Sequence, residues 1–228
     1  MTGTKSVAVV VPAYNEAATI EAVVVDLHNY VDEIIVVDDG SDDRTAEIAR
    51  TNGATVITRE ENRGYDRSLS EGVSYAAETG ADIVVTFDAD GQHAAADIER
   101  VVAPIRTGAA SIVVGRRPEP ARTAEQLFAA YTKLRFGVDD PLSGFKAYDV
   151  SVYNEIGHFD EFSSIGTHLM IAARKRGYTI GQVSIDIDER DDEPRFGHLR
   201  ANWSMLQALY RIVLFDLRTE LSSEITPN

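Results

Sequence analysis

The 228-residue chain has no cysteine. That excludes a disulfide framework, a thiolate metal site and a catalytic cysteine. Long apolar runs are also missing, and the longest fall well short of the ~20 residues that a spanning helix needs. Basic residues are few beside acidic ones, 22 against 37, for a net charge of −15. Phosphate-backbone contact needs a basic face, so no nucleic-acid partner is expected. Two phosphate-binding signatures are absent, G-x-G-x-x-G and G-x-x-x-x-G-K-S/T, which argues against a dinucleotide site and a P-loop. The start, MTGTKSVAVVVPAYNE, runs straight into a strand pattern without a signal-peptide cleavage site. A cytoplasmic protein is expected. The acid excess reads as a solvated, repulsive surface, or as adaptation to a high-salt cytoplasm.

Apolar residues make up 44% of the chain, enough for a substantial core. With no repeat, linker or low-complexity tract, one domain over 1–228 is favoured. SVAVVVP, EIIVVDD, ATVITR, ADIVVTF and ASIVVG read as buried strands. Helical patterns separate them: AATIEAVVVDLHNY, a helix after GSDD capped by Ser41 or Asp42, one from Asp66 to Thr79, and DIERVVAPI. Strands apolar on both faces, alternating with helices, predict an α/β fold with a mostly parallel sheet covered on each side. The second half predicts helices near 121–136 and 165–176, a strand in YTIGQVSIDI, a mobile segment at 188–200 and a closing helix at 201–221.

Such sheets bind ligands at the carboxyl ends of their strands. Polar groups gather at those ends: PAYNE, DDGS, ENRG, DAD and GRR. In FDADGQH, Asp88 and Asp90 stand one residue apart. They form a polar turn, or they hold a divalent cation with hard oxygen ligands. Their place after a buried strand, at the ligand-binding edge, favours the cation. Gln92 could add a neutral oxygen; His93 lines the site or begins the next helix. Asp39 binds a base or ribose, or closes a turn with Gly40 and Ser41. A mononucleotide whose phosphates are held by a metal fits what remains.

VPAYNE, VVDDGSDDRT, NRGY, FDADGQH and DPLSGF, in that order, resemble glycosyltransferase family 2, with the GT-A fold, over about residues 5–200. DADGQH and RFGHLR are most similar to its polyprenyl-phosphate branch, which includes dolichyl-phosphate mannose synthase. The resemblance implies that Pro12, Tyr14, Glu16, Asp39 and Arg63 serve the nucleotide. It implies that Asp88, Asp90 and Gln92 hold Mg²⁺ or Mn²⁺. It places Arg117, Asp140, Ser143 and Gly144 near the sugar and acceptor. Arg195 and Arg200 fall in a basic loop that can close over phosphates, and Arg122 is a further cation for them. The catalytic residues it implies are Asp90, Arg117 and Asp140, and His168 is a further candidate that the chain itself offers.

There are departures. Leu199 and Arg200 replace a serine and a lysine, and Asp66 and Arg67 stand where small residues are common. Relatives carry acids where this chain has Ser164 and His168. A hydroxyl acceptor needs a base, whereas a phosphate monoester is already ionised near neutral pH. Losing an acid is therefore tolerable with a lipid phosphate acceptor. His168 acts as base or faces the core. The expected activity is an inverting hexosyltransferase using GDP-mannose or UDP-glucose and dolichyl or another polyprenyl phosphate. Competing readings are transfer to a saccharide or protein hydroxyl, and an inactive nucleotide-sugar binder. In the last helix, Trp203, Leu206, Leu209, Tyr210, Val213 and Leu217 make an apolar stripe. It packs on the sheet or a dimer partner, or lies in a membrane interface as a peripheral contact.

Overall fold

The structure is a computed structural model. It describes residues 4–118, 123–186 and 198–224, with the side chains of the last stretch described from 203 to 219. The strands are β1 (Val7–Ala13), β2 (Glu33–Asp38), β3 (Thr55–Thr58), β4 (Ile83–Thr86), β5 (Ile112–Arg116), β6 (Lys146–Asp149) and β7 (Ile180–Ser184). They form one seven-stranded sheet in the order β3-β2-β1-β4-β6-β5-β7. β6 runs antiparallel to β4 and β5; the other pairs are parallel.

β1 shows why the sheet needs two covers. Its residues are all buried. Val7, Val9 and Val11 enter one core, while Ala8 and Val10 enter the other. Successive side chains of a strand point to opposite faces, so a strand apolar throughout must be covered on both. The first core takes α1 (Ile20–Leu27), α2 (Thr45–Thr51) and α4 (Asp97–Arg106). The second takes α3 (Tyr65–Glu78), α5 (Thr123–Phe136), α6 (Val150–Ile156), α7 (Thr167–Lys175) and α8 (His198–Glu224). α3 lies very close to β1, because a methyl at Gly72 would run into Val10.

The five expected strands and the later one are present, with ends shifted by up to three residues. β6 and α6 were not anticipated. KAYD is only four residues long, too short for a period to show. The expected cap of α2 is corrected. Neither Ser41 nor Asp42 caps it; Asp43 accepts the Thr45 N–H at 2.9 Å. Ser41 and Asp42 instead bond to Asn15 in the loop after β1. Among the described residues, no helix is long and apolar enough to cross a membrane.

Candidate active site

Three parallel strands deliver polar groups to one edge. After β1, Asn15 adopts a left-handed φ of 56°, which asparagine tolerates better than most residues. Its N–H reaches Ser41 Oγ at 2.9 Å and its side chain accepts the Asp42 N–H at 2.9 Å, lacing the first two strand ends together. After β2, buried Asp39 takes a salt bridge from Arg59 at 2.8 Å and the N–H groups of Arg63 and Gly64 at 2.9 and 2.7 Å. Arg59 also pairs with Glu71 on α3. Asp39 thus fixes the loop that begins α3. After β4 come Asp88 and Asp90. A cleft of about 490 Å³ opens here, lined among others by Pro12, Tyr14, Glu16, Asp39, Asp88 and Asp90.

Asp88 is clamped. Tyr65, the first residue of α3, donates its hydroxyl to Oδ1 at 2.5 Å. His93 Nε2 lies 3.2 Å from Oδ2. A carboxylate only accepts, so that nitrogen carries its proton. Phe87 and Phe145 pack against the His93 ring. Burial pushes the Asp88 pKa up, but His93, Tyr65 and the charge of Arg117 together hold it below the usual carboxylate value. Burial, with Asp88 beside it, pushes the Tyr65 hydroxyl well above its ordinary value, so it stays a donor. Gly144 presses on the same carboxylate: a methyl there would sit 2.5 Å from Asp88 Oδ2. Asp90 accepts the Gln92 N–H at 3.0 Å, an Asx turn that holds its carboxylate at the cleft. Two oriented carboxylates at the cleft fit a hard divalent cation, which takes oxygen ligands and leaves room for phosphate. Asp88 has more acceptor positions than Tyr65 and His93 use.

A second hollow, of about 680 Å³, adjoins α5 and the ends of β5 and β7, lined by residues that include Arg116, Arg117, Lys133, Asp139, Asp140 and Asp186. Arg117 binds buried Asp140 in a fork: Nε to Oδ2 at 2.8 Å and Nη2 to Oδ1 at 2.8 Å. Glu125 adds a contact at 3.3 Å. Burial raises the Asp140 pKa, and the Arg117 pair outweighs it, leaving the carboxyl depressed. Nη1 of Arg117 takes part in none of these bonds. Behind this pair, fully buried Lys146 donates to the carbonyls of Ser143 and Ile165 at 2.7 and 2.6 Å. Burial brings its pKa down to about 7.

The glycosyl transferase family 2 model matches residues 8–165 of the chain. The chain belongs to that family. Its sheet is the family's GT-A architecture. Within glycosyl transferase family 2, the chain is 34% identical over 215 residues to a UDP-N-acetylglucosamine–dolichyl-phosphate N-acetylglucosaminyltransferase of Methanococcus voltae, covering 79% of this chain and 85% of that one. It is 29% identical over 219 residues to a dolichyl-phosphate hexose transferase of Haloferax volcanii, covering 91% and 93%. Among solved structures, glucosyl-3-phosphoglycerate synthase from Mycobacterium tuberculosis, in complex with Mn²⁺, UDP-glucose and phosphoglyceric acid, superposes with a TM-score of 0.70. Its sequence identity is 27%, and the match covers 90% of this chain and 80% of that one.

For this family 2 chain, the structure gathers Pro12, Tyr14, Glu16, Asp39, Asp88 and Asp90 around the cleft. Arg117 and Asp140 lie together at the neighbouring hollow. It does not bring His168 to either. That ring is buried among His158, Phe162 and Phe215. Burial and the nearby His158 lower its pKa to about 4, so it is neutral at pH 7. Ser164 is buried and bonded to Asp160, whose carboxylate also takes the N–H groups of residues 162, 164 and 166. Asp66 turns to the same segment and accepts the Ile165 N–H at 2.7 Å. Arg63 has an exposed side chain; its backbone N–H is what reaches Asp39. Gln92 enters through its backbone bond to Asp90. Arg122 and Arg195 lie outside the described residues, and Arg200 sits in the first turn of α8 with its side chain outside them. Tyr65, Arg59 and Lys146 were missed as functional residues. Tyr65 was within reach, as the last letter of NRGY.

Proposed function

We propose that this single domain transfers a hexose from a nucleotide sugar to a polyprenyl phosphate of the dolichyl type. The observation that carries the reading is the Asp88/Asp90 pair at a cleft with the Arg117 charge close by. Pro12, Tyr14, Glu16 and Asp39 flank the nucleotide. Asp88 and Asp90 hold Mg²⁺ or Mn²⁺, which when bound offsets the charge of the departing diphosphate. Gln92 completes the ligand set. The Arg117 fork is fixed by Asp140, leaving Nη1 to meet a phosphate oxygen. Arg195, outside the described residues, and Arg200, at the start of α8, add positive charge for the phosphates. A lipid phosphate is already ionised, so positioning and charge neutralisation suffice and no base is required. One in-line displacement inverts the anomeric centre. The names of the 34%- and 29%-identical relatives support a dolichyl-phosphate acceptor.

The lipid acceptor calls for a membrane-facing surface, and the α5–α8 pair supports one. Asp216 of α8 is buried and held by Tyr131 at 2.6 Å and Arg135 at 2.9 Å, both on α5. Ala208 and Ile212 face inward beside it. The opposite side of α8 leaves Trp203 and Tyr210 each 65% exposed; on α5, Leu134 is 85% exposed. Exposed Arg211 and Arg218 accompany them. Apolar anchors beside basic residues suit a peripheral contact at a lipid interface.

The test is incubation of the protein with a panel of GDP- and UDP-sugars, Mn²⁺, and either polyprenyl phosphate or phosphoglyceric acid. A glycolipid product supports the reading. Product formed only on the soluble hydroxyl acceptor, as the phosphoglycerate complex of the structural neighbour suggests, would replace it.

A further inference from the structure

Away from both hollows, the segment joining α6 to α7 gathers two imidazoles and a carboxylate. His158, Glu161 and His168 each present one ligand-type atom, all within 4.8 Å of one another. His168 Nδ1 lies 3.9 Å from Glu161 Oε2. That nitrogen accepts only a long backbone N–H, from Glu161 at 3.4 Å. Among the described residues, the Nε2 atoms of both histidines are buried with no hydrogen-bond partner. Buried polar atoms are nearly always satisfied, so two orphaned nitrogens in one cluster call for an explanation.

We propose that His158, Glu161 and His168 form a binding site for a transition-metal dication of the zinc type, separate from the Asp88/Asp90 site. Two imidazoles and one carboxylate, with a fourth position for water, are a ligand set that Zn²⁺ favours. Mg²⁺ prefers an all-oxygen set such as the aspartate pair, so the two sites sort metals by ligand type. Phe162 and Phe215 pack on the His168 ring, at 4.1 and 4.6 Å between centroids, and fix its orientation. Glu161, 63% exposed, supplies the entry side. The rings of His158 and His168 stack at 4.3 Å with a 31° tilt. One ring must therefore turn for a nitrogen of each to share an ion, and His158, only partly buried, has the room to do so.

The site has a structural consequence. It lies on the segment whose Ile165 bonds to Asp66 at the start of α3 and to Lys146 behind Ser143. A bound metal would stiffen the brace of the D-x-x-S-G-F turn. The inference does not depend on which acceptor the enzyme uses.

The experiment is a calorimetric Zn²⁺ titration of the full chain in saturating Mg²⁺, with thermal melts alongside. One Zn²⁺ per chain and a raised Tm are expected. Glu161→Gln, at an exposed position that leaves folding intact, should weaken binding by at least about tenfold, given that even outer partners of a ligand are worth about 10–100-fold. His158→Gln should do the same, and Asp90→Ala should retain the Zn²⁺. Zn²⁺ binding that is unchanged in Glu161→Gln, or lost in Asp90→Ala, would overturn the assignment. So would the absence of binding in the parent, which would leave the cluster as an aromatic stack.

Discussion

Gly144→Ala is the smallest change that reaches the Asp88/Asp90 pair without touching a ligand. The added methyl would lie 2.5 Å from Asp88 Oδ2, 2.9 Å from Oδ1 and 2.8 Å from the Tyr65 hydroxyl. Ordinary contacts begin near 3.4 Å, so the carboxylate must retreat by about 0.9 Å. Residue 144 cannot easily yield instead, because Thr86 Oγ1 holds its carbonyl at 2.6 Å. Backbone strain is not the issue, since Gly144 is not among the positive-φ glycines. Overpacking of this size costs about 1–3 kcal/mol, which leaves a folded protein. Misplacement by about 1 Å at a reacting site costs roughly 10²-fold in rate. The expected outcome is a roughly hundredfold fall in kcat/KM for sugar transfer, with a small drop in Tm and a weaker response to Mn²⁺. A folded variant within about threefold of parent kcat/KM would refute the reasoning, because transition-state stabilisation would then be intact.

Asp140→Asn leaves the Arg117 fork without its charged partner. Breaking a buried pair from one side costs about 3 kcal/mol at the low end, or roughly 6–12 °C in Tm for a chain of this size, read by calorimetry at pH 7. The Asp140 pKa is depressed in the fold, so its stabilisation is present above the unfolded value of about 3.9 and lost as pH falls through the folded one. Parent and variant stabilities should converge in acid. Asp66 behaves oppositely: burial, with the charge of Asp160, raises it to about 6. Its contribution is full below about 4 and lost as pH rises through about 6, so Asp66→Asn should flatten the stability–pH curve across that window. Replacing Trp203, Tyr210 and Leu134 by serine should reduce flotation with polyprenyl-phosphate liposomes while leaving the melt within a few degrees. Undiminished flotation would remove the α5–α8 face as the contact.

What could be read in the sequence follows from periodicity. The valine-rich runs alternate between two cores, so they announced a covered sheet. Their carboxyl ends then located the cleft, because polar clusters followed nearly every strand. Convergence from a distance was not legible. Tyr65 and His93 meet at Asp88 from 23 residues before it and 5 after it, and no local spacing encodes that. Lys146 lay one residue past DPLSGF, but a lysine in a four-residue strand gives no sign of being buried. For His168, the resemblance singled out only its position in the chain. Only packing could show that its neighbours are Phe162, Phe215 and His158 rather than the cleft.

The central claim is that Asp88 and Asp90 serve sugar transfer onto a lipid phosphate through a divalent cation. The direct measurement is glycolipid formation from a radiolabelled nucleotide sugar and polyprenyl phosphate, for the parent and Asp90→Ala, with Mn²⁺ and after chelation. The expected result is product from the parent with Mn²⁺ and none in the other three conditions. Undiminished product from folded Asp90→Ala, or from the chelated parent, would contradict it.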